Sequence, residues 1–275
     1  MKSPVTRGLL WGGTVAGPLF TAAFLIEGAT RADYDPLRHP VSSLALGPSG
    51  WTQDLNFIVA GLLTLGFAVA LRKLLRPGPP TPDALEAGTR STRDEPVPAG
   101  GTLVLERPSA RAPEPLPASR TGLRRGATWG PILIGVWAVQ LILAGIFVTD
   151  PVSGYPPGTP DRLTEYVTTH GAVHDLVSIP GFIALAAAFL VFAVRFAAQR
   201  SRGWAAYSVI TFAVFAVAFY LSSRGFDQSP GLVKFGGLFQ RLAVTTGWLW
   251  LTLLATRHLS PTAAPTNEPA STTAR

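Results

Sequence analysis

Cysteine is absent from this 275-residue chain, and methionine occurs once. Without thiols there is no disulfide framework, no iron–sulfur cluster and no thiolate zinc site. Charge is also scarce. Lys and Arg number 23, Asp and Glu 16, and together they make up 14% of the residues, against roughly a quarter in an ordinary soluble domain. The charge crowds into a few segments. It leaves stretches of about 20 residues almost free of it, the length a helix needs to cross the hydrocarbon core. A soluble globular enzyme is therefore excluded first. The sequence also lacks a P-loop, a dinucleotide fingerprint, a kinase string and a Gly-x-Ser-x-Gly elbow.

What is present is 47% hydrophobic residue, gathered into six apolar runs at about 9–26, 55–71, 127–149, 176–194, 204–221 and 242–256. In lipid each must be helical, because a lone strand would leave its backbone unsatisfied. The fold expected is thus an all-α integral membrane protein of six transmembrane helices. Lys2 and Arg7 ahead of the first run resemble the start of a signal peptide. That run is longer than a usual signal core and no A-x-A site follows, so it reads as a span.

Lys and Arg set the expected orientation. The side holding both termini and the loop after the second span carries 17 of them, the opposite side six. Both termini are accordingly expected in the cytoplasm of a cell-membrane protein. The net charge of +7 is then a topology signal and calls for no nucleic-acid partner. Four regions follow: residues 1–75 as a first hairpin, 76–126 as a disordered cytoplasmic linker, 127–257 as two further hairpins and 258–275 as a disordered tail. The linker holds ten of the 25 prolines, a composition that cannot bury enough apolar surface to offset its ordering entropy.

Each even-numbered span opens on a similar string. These are Gly50-Trp51-Thr52-Gln53-Asp54-Leu55, Gly171-Ala172-Val173-His174-Asp175-Leu176 and Gly237-Leu238-Phe239-Gln240-Arg241-Leu242. A proline precedes each: Pro40, Pro160 and Pro230. Proline starts and glycine stops suggest a short helix in every outer loop, with Leu163, Tyr166 and Val167 on one face in the middle loop. The repeat suggests three helical hairpins in a parallel pseudo-repeat. It also sets Asp54, Asp175 and Arg241 at one depth, where the arginine fork could serve both carboxylates in a shared polar network.

The same side gathers Asp33, Asp35, Arg38, His39, Asp150, His170 and His174, the candidates for binding a ligand in an outer polar vestibule. Zinc takes imidazole and carboxylate ligands, so His39, His170, His174 and Asp150 form one set that could hold it. No His-Glu-x-x-His string supports that reading, and neither metal nor cofactor is favoured. Inside the spans Gln140 is the one strongly polar residue deep in the third. Thr64 and Thr211 can bond back to their own helices, and no mid-membrane acid suggests a proton-coupled pump.

The strings Asp33-Tyr34-Asp35-Pro36-Leu37-Arg38-His39-Pro40-Val41-Ser42, Phe147-Val148-Thr149-Asp150-Pro151 and Thr169-His170-Gly171-Ala172-Val173-His174-Asp175-Leu176 resemble a prokaryotic membrane-protein family catalogued as domain of unknown function 998. The resemblance spans about 8–75 and 127–257. It implies a six-span fold and brings no catalytic or binding residue with it. The function expected is a non-enzymatic membrane module, in contact with the lipid bilayer, that binds a lipid, a small amphipathic ligand or a protein partner. A metal-dependent hydrolase of lipid-linked substrates and a small transporter are the alternatives.

Overall fold

The computed structural model describes residues 3–76, 118–162 and 165–260. Six long helices appear in order: α1 Pro4–Thr30, α2 Trp51–Leu75, α3 Ala118–Ile146, α4 Thr169–Ala198, α5 Arg202–Phe226 and α6 Gly236–Leu259. Among the described residues there are no strands. The first five helices are long and apolar enough to cross a membrane. The sixth has 24 residues, about 36 Å at 1.5 Å per residue, but it carries Gln240, Arg241, Thr245, Thr246, Arg257 and His258 and is less apolar.

Each helix packs against its neighbours in the chain, and α6 packs back on α1, so the six close into a ring. Thr64 and Thr211 spend their hydroxyls on Ala60 O and Tyr207 O of their own helices, as expected. Gly13 and Gly17 of α1 receive Phe67 of α2 and Trp248 of α6, so this small-residue pair serves packing within the chain. Aromatic rings fill the middle of the ring. Phe20 of α1 and Trp137 of α3 both meet Trp248 of α6, at centroid distances of 5.4 and 6.1 Å. Toward the end that bears the termini, Phe189 and Phe192 of α4 pack against Trp250, 4.9 and 5.4 Å away. Trp250 Nε1 there donates to Ser208 Oγ at 3.0 Å.

Two boundaries differ from expectation. Helix α3 begins at Ala118, so residues 118–126, placed in the linker above, are helical; the rest of that segment, 77–117, lies outside the described residues. Helix α6 runs to Leu259, and the tail from 261 onward is likewise outside them. The short loop helices also form unevenly. A 3₁₀ turn, Val41–Ala45, follows Pro40, and another, Val233–Phe235, lies just beyond Pro230. In the middle loop Leu163 is not described, while Tyr166 and Val167 are in no helix.

The three interhelical loops at the other end, 31–50, 147–168 and 227–235, interlock over the bundle. Arg38 pairs with Asp161 at 2.5 Å, and Gln228 Nε2 donates to Asp161 O at 2.9 Å. Tyr155 packs on both Tyr34 and His39. The Arg38–Asp161 pair is exposed, so its energetic contribution is about 0–1 kcal/mol. The buried contacts hold the loops.

Candidate functional site

The first turn of α6 is the anchor of this loop cap. A helix N-terminus leaves backbone N–H groups without intrahelical partners, and α6 has no side-chain cap. Loop 31–50 supplies carbonyls instead: Gly237 N donates to Arg38 O at 3.1 Å and Leu238 N to Leu37 O at 2.8 Å. Such an approach needs glycine at 237, where a Cβ would meet His39 O and Pro36 O. Gln240 Oε1 accepts from Val41 N at 2.7 Å. Arg241, 9% exposed, donates Nη1 to His39 O at 3.0 Å and to Gly237 O at 3.1 Å, and Nη2 to Tyr34 Oη. Its guanidinium lies 5.7 and 5.5 Å from the Phe24 and Tyr34 ring centroids, a cation–π geometry.

This overturns the direct pairing expected among Asp54, Asp175 and Arg241. The ion pairs among the described residues are Arg31–Glu27 and Arg38–Asp161. Loop 31–50 folds over the start of α6 and puts Tyr34 and the His39 carbonyl where the carboxylates were expected. Asp54 instead lies in the field of Glu27, and Asp175 interacts with Tyr166 and His174.

The other predicted residues fall into separate places. His39 is buried; its Nδ1 accepts from Asp35 N at 2.9 Å, and the ring also hydrogen-bonds the Ser153 backbone. Burial, with Arg38 and Arg241 nearby, holds its pKa below the ordinary value despite Asp35. Burial pushes the Tyr34 hydroxyl up to about 12, against the pull of Arg241, so it stays a neutral partner for the guanidinium. Asp33 and Asp35 are exposed, and Asp35 Oδ1 caps Leu37 N at 2.9 Å. Asp150, 2% exposed, accepts from Val167 N, Thr168 N and Thr168 Oγ1 at 2.8, 3.1 and 2.7 Å. Burial alone would raise its pKa; those three donors outweigh it and hold the carboxylate below its usual range. Thr168 in turn caps Gly171 N.

His170 and His174 both lie in the first two turns of α4. His174 is buried and donates Nδ1 to Phe147 O at 2.8 Å, whereas His170 is exposed with its ring 5.3 Å from that of Phe147. The alternative zinc set of His39, His170, His174 and Asp150 is thus not assembled. Both nitrogens of His39 and both oxygens of Asp150 are committed, and among the described residues no three His, Asp or Glu converge.

Beneath the cap lies a cavity of about 490 Å³. Apolar rings form its depth, Phe20, Phe57, Trp137, Phe182 and Phe219 among them; its mouth carries Arg162, Glu165, Tyr166, Asp175 and Asp227. Gln140 also lines it, with Nε2 donating to Ser178 Oγ at 3.5 Å. The Gln140 Oε1 and Trp137 Nε1 atoms are buried with no hydrogen-bond partner among the described residues.

The sequence matches the family model described as protein of unknown function (DUF998), over residues 14–84 and 116–257. The chain belongs to that family. No curated protein and no solved structure matches it. The functional residues of this DUF998 protein must therefore be read from its own geometry. Trp137, Tyr34 and Gln240 were not singled out from the sequence. Tyr34 and Gln240 stood there only as members of quoted strings, and Trp137 had no signal. Gln53 and His174 are buried and Gln240 is half-buried, while Leu55, Leu176 and Leu242 are all exposed.

Proposed function

We propose that this DUF998 protein is a non-enzymatic binding module of the cell membrane that takes a small amphipathic molecule into the cavity beneath its loop cap. The observation that carries this reading is the cavity itself, apolar at depth and polar at the mouth. Ligand sites are mostly apolar concavities of about 300–1,000 Å³ with a few polar groups that orient the guest. The Phe189, Phe192 and Trp250 packing fills the bundle on the far side, which favours a pocket over a conduit. In this reading α6 is the sixth span, the three hairpins are pseudo-repeats, and the shared burial of their opening strings supports that symmetry.

The test fills the cavity. In lipid nanodiscs the full-length protein is expected to bind 2-phenoxyethanol, a neutral amphipathic probe, saturably by calorimetric titration. Ala144 and Ser222 are buried and line the cavity, so Ala144→Phe and Ser222→Leu should each weaken binding about tenfold or more, the effect of a pocket occupied by its own side chain. Binding unchanged in both folded variants would end the reading.

The reading also places the loop cap outside the cell and the termini in the cytoplasm, on the Lys and Arg bias. Because the chain has no cysteine, single-cysteine labelling is direct. Ser49 and Ser260 are both exposed, at opposite ends of the bundle. An impermeant maleimide should label Ser49→Cys in intact cells and Ser260→Cys only after permeabilisation. The opposite pattern would invert the orientation.

A further inference from the structure

The charge and polarity of the cavity lining say which kind of guest fits. Four carboxylates line it, Asp150, Glu165, Asp175 and Asp227, against one cation, Arg162. Asp150 is spent on three donors of the 167–168 backbone and the Thr168 hydroxyl. The other three stand at the mouth, where Asp175 also takes a hydrogen bond from Tyr166. Acids around an opening draw cations toward it, yet a ring of acids does not by itself make a site.

The second observation lies below them. Asp175, Ser178 and Phe182 follow one another down α4 at spacings of three and four, so they stack on one face, and all three line the cavity. Gln140 reaches Ser178 from α3. It is 5% exposed, and its Oε1 is a buried acceptor with no donor among the described residues. A buried amide oxygen without a donor is costly, and an ammonium N–H is the donor that would relieve it. Deeper still are Trp137, Phe182 and Phe219, with Phe182 and Phe219 stacked at 4.5 Å. Aromatic faces attract a cation and also accept an apolar body. Trp137 Nε1, a second buried polar atom of the lining without a partner among the described residues, is a donor and suits one acceptor atom on that body.

We infer that the cavity takes an amphipathic organic ammonium. Its charged head sits between Asp175 and the Gln140–Ser178 pair, and its apolar body lies among the rings of Trp137, Phe182 and Phe219. A carboxylate or phosphate guest would meet three acids and an unpaired acceptor at that level. This inference rests on the cavity reading above and assigns its ligand class.

Three probes of matched size test it on the full chain in nanodiscs of zwitterionic lipid: 2-phenoxyethylammonium, 2-phenoxyethanol and phenoxyacetate. The ammonium should bind about tenfold tighter than the alcohol, the size of a partly desolvated cation–π and charge contribution, and the carboxylate weakest. Gln140→Leu and Asp175→Asn should each lower ammonium affinity about tenfold while leaving the alcohol within about twofold. Glu165→Gln, at an exposed loop position, carries the same comparison if Asp175→Asn does not fold, with a smaller loss. If the alcohol or the carboxylate binds as tightly as the ammonium, or the variants weaken all three alike, the ligand class is wrong and the cavity reading stands. If none of the three binds saturably, the cavity reading falls as well.

Discussion

Arg241→Ala is expected to cost about 3 kcal/mol of stability, the sum of two or three lost charge-assisted hydrogen bonds at a buried site. The guanidinium holds His39 O, Gly237 O and Tyr34 Oη together, so its loss frees the 31–50 loop from α6. In detergent this should appear as a fall in melting temperature of about 10 °C, at 2–4 °C per kcal/mol for a domain of this size. Arg241→Lys should recover only part, because an ammonium cannot span the same fork. Asp54→Asn and Asp175→Asn should add to Arg241→Ala within about 0.5 kcal/mol, since neither acid pairs with it. A strong rescue by the asparagines would restore the network that the structure rejects.

Asp150→Ala should be of similar size, about 3 kcal/mol. The carboxylate satisfies Val167 N and Thr168 N and orients the Thr168 hydroxyl that caps α4 at Gly171 N. Each orphaned backbone N–H costs about 1–3 kcal/mol, and the loss of a cap typically about 1 kcal/mol. Gly171→Ala should act on the same contact from the other side, because a Cβ at 171 would meet the Asp150 carboxyl group. The pH dependence has a definite sign. The folded pKa of Asp150 lies below its ordinary value near 3.8. Its contribution is therefore fully present above the unfolded value and is lost as pH falls through the folded one. From about pH 5 to 8 the Asp150→Ala penalty should be flat, and it should shrink only in stronger acid. A penalty that changes across neutral pH would show that another group couples to Asp150.

The sequence by itself determined the class of protein, the number of long helices and which loops share an end of the bundle. These follow from local quantities. Apolar length decides whether a segment can span lipid, and alternation along the chain does the rest. It also located the strings that open α2, α4 and α6, and it marked Gln140 as the odd polar residue of α3. Helix boundaries were less legible: the charged residues at 118–126 read as linker, yet the backbone continues as helix there.

Only the tertiary structure decided which side chains meet. In lipid the outer and inner faces of a helix are both apolar, so periodicity cannot say which residues turn inward. Trp137 and Trp129 lie on the same helix in similarly apolar stretches, yet the first is 2% exposed and the second 55%. Two of the three hydrogen-bond partners of Arg241, His39 O and Tyr34 Oη, come from a loop about 200 positions earlier in the chain, and no spacing rule links residues so far apart. The similar strings that open α2, α4 and α6 suggested that Asp54, Asp175 and Arg241 would meet. The backbone carbonyls of residues 37–39 decided the matter instead. They reach the first turn of α6 because its N–H groups need acceptors and Gly237 lets the loop come close enough to supply them.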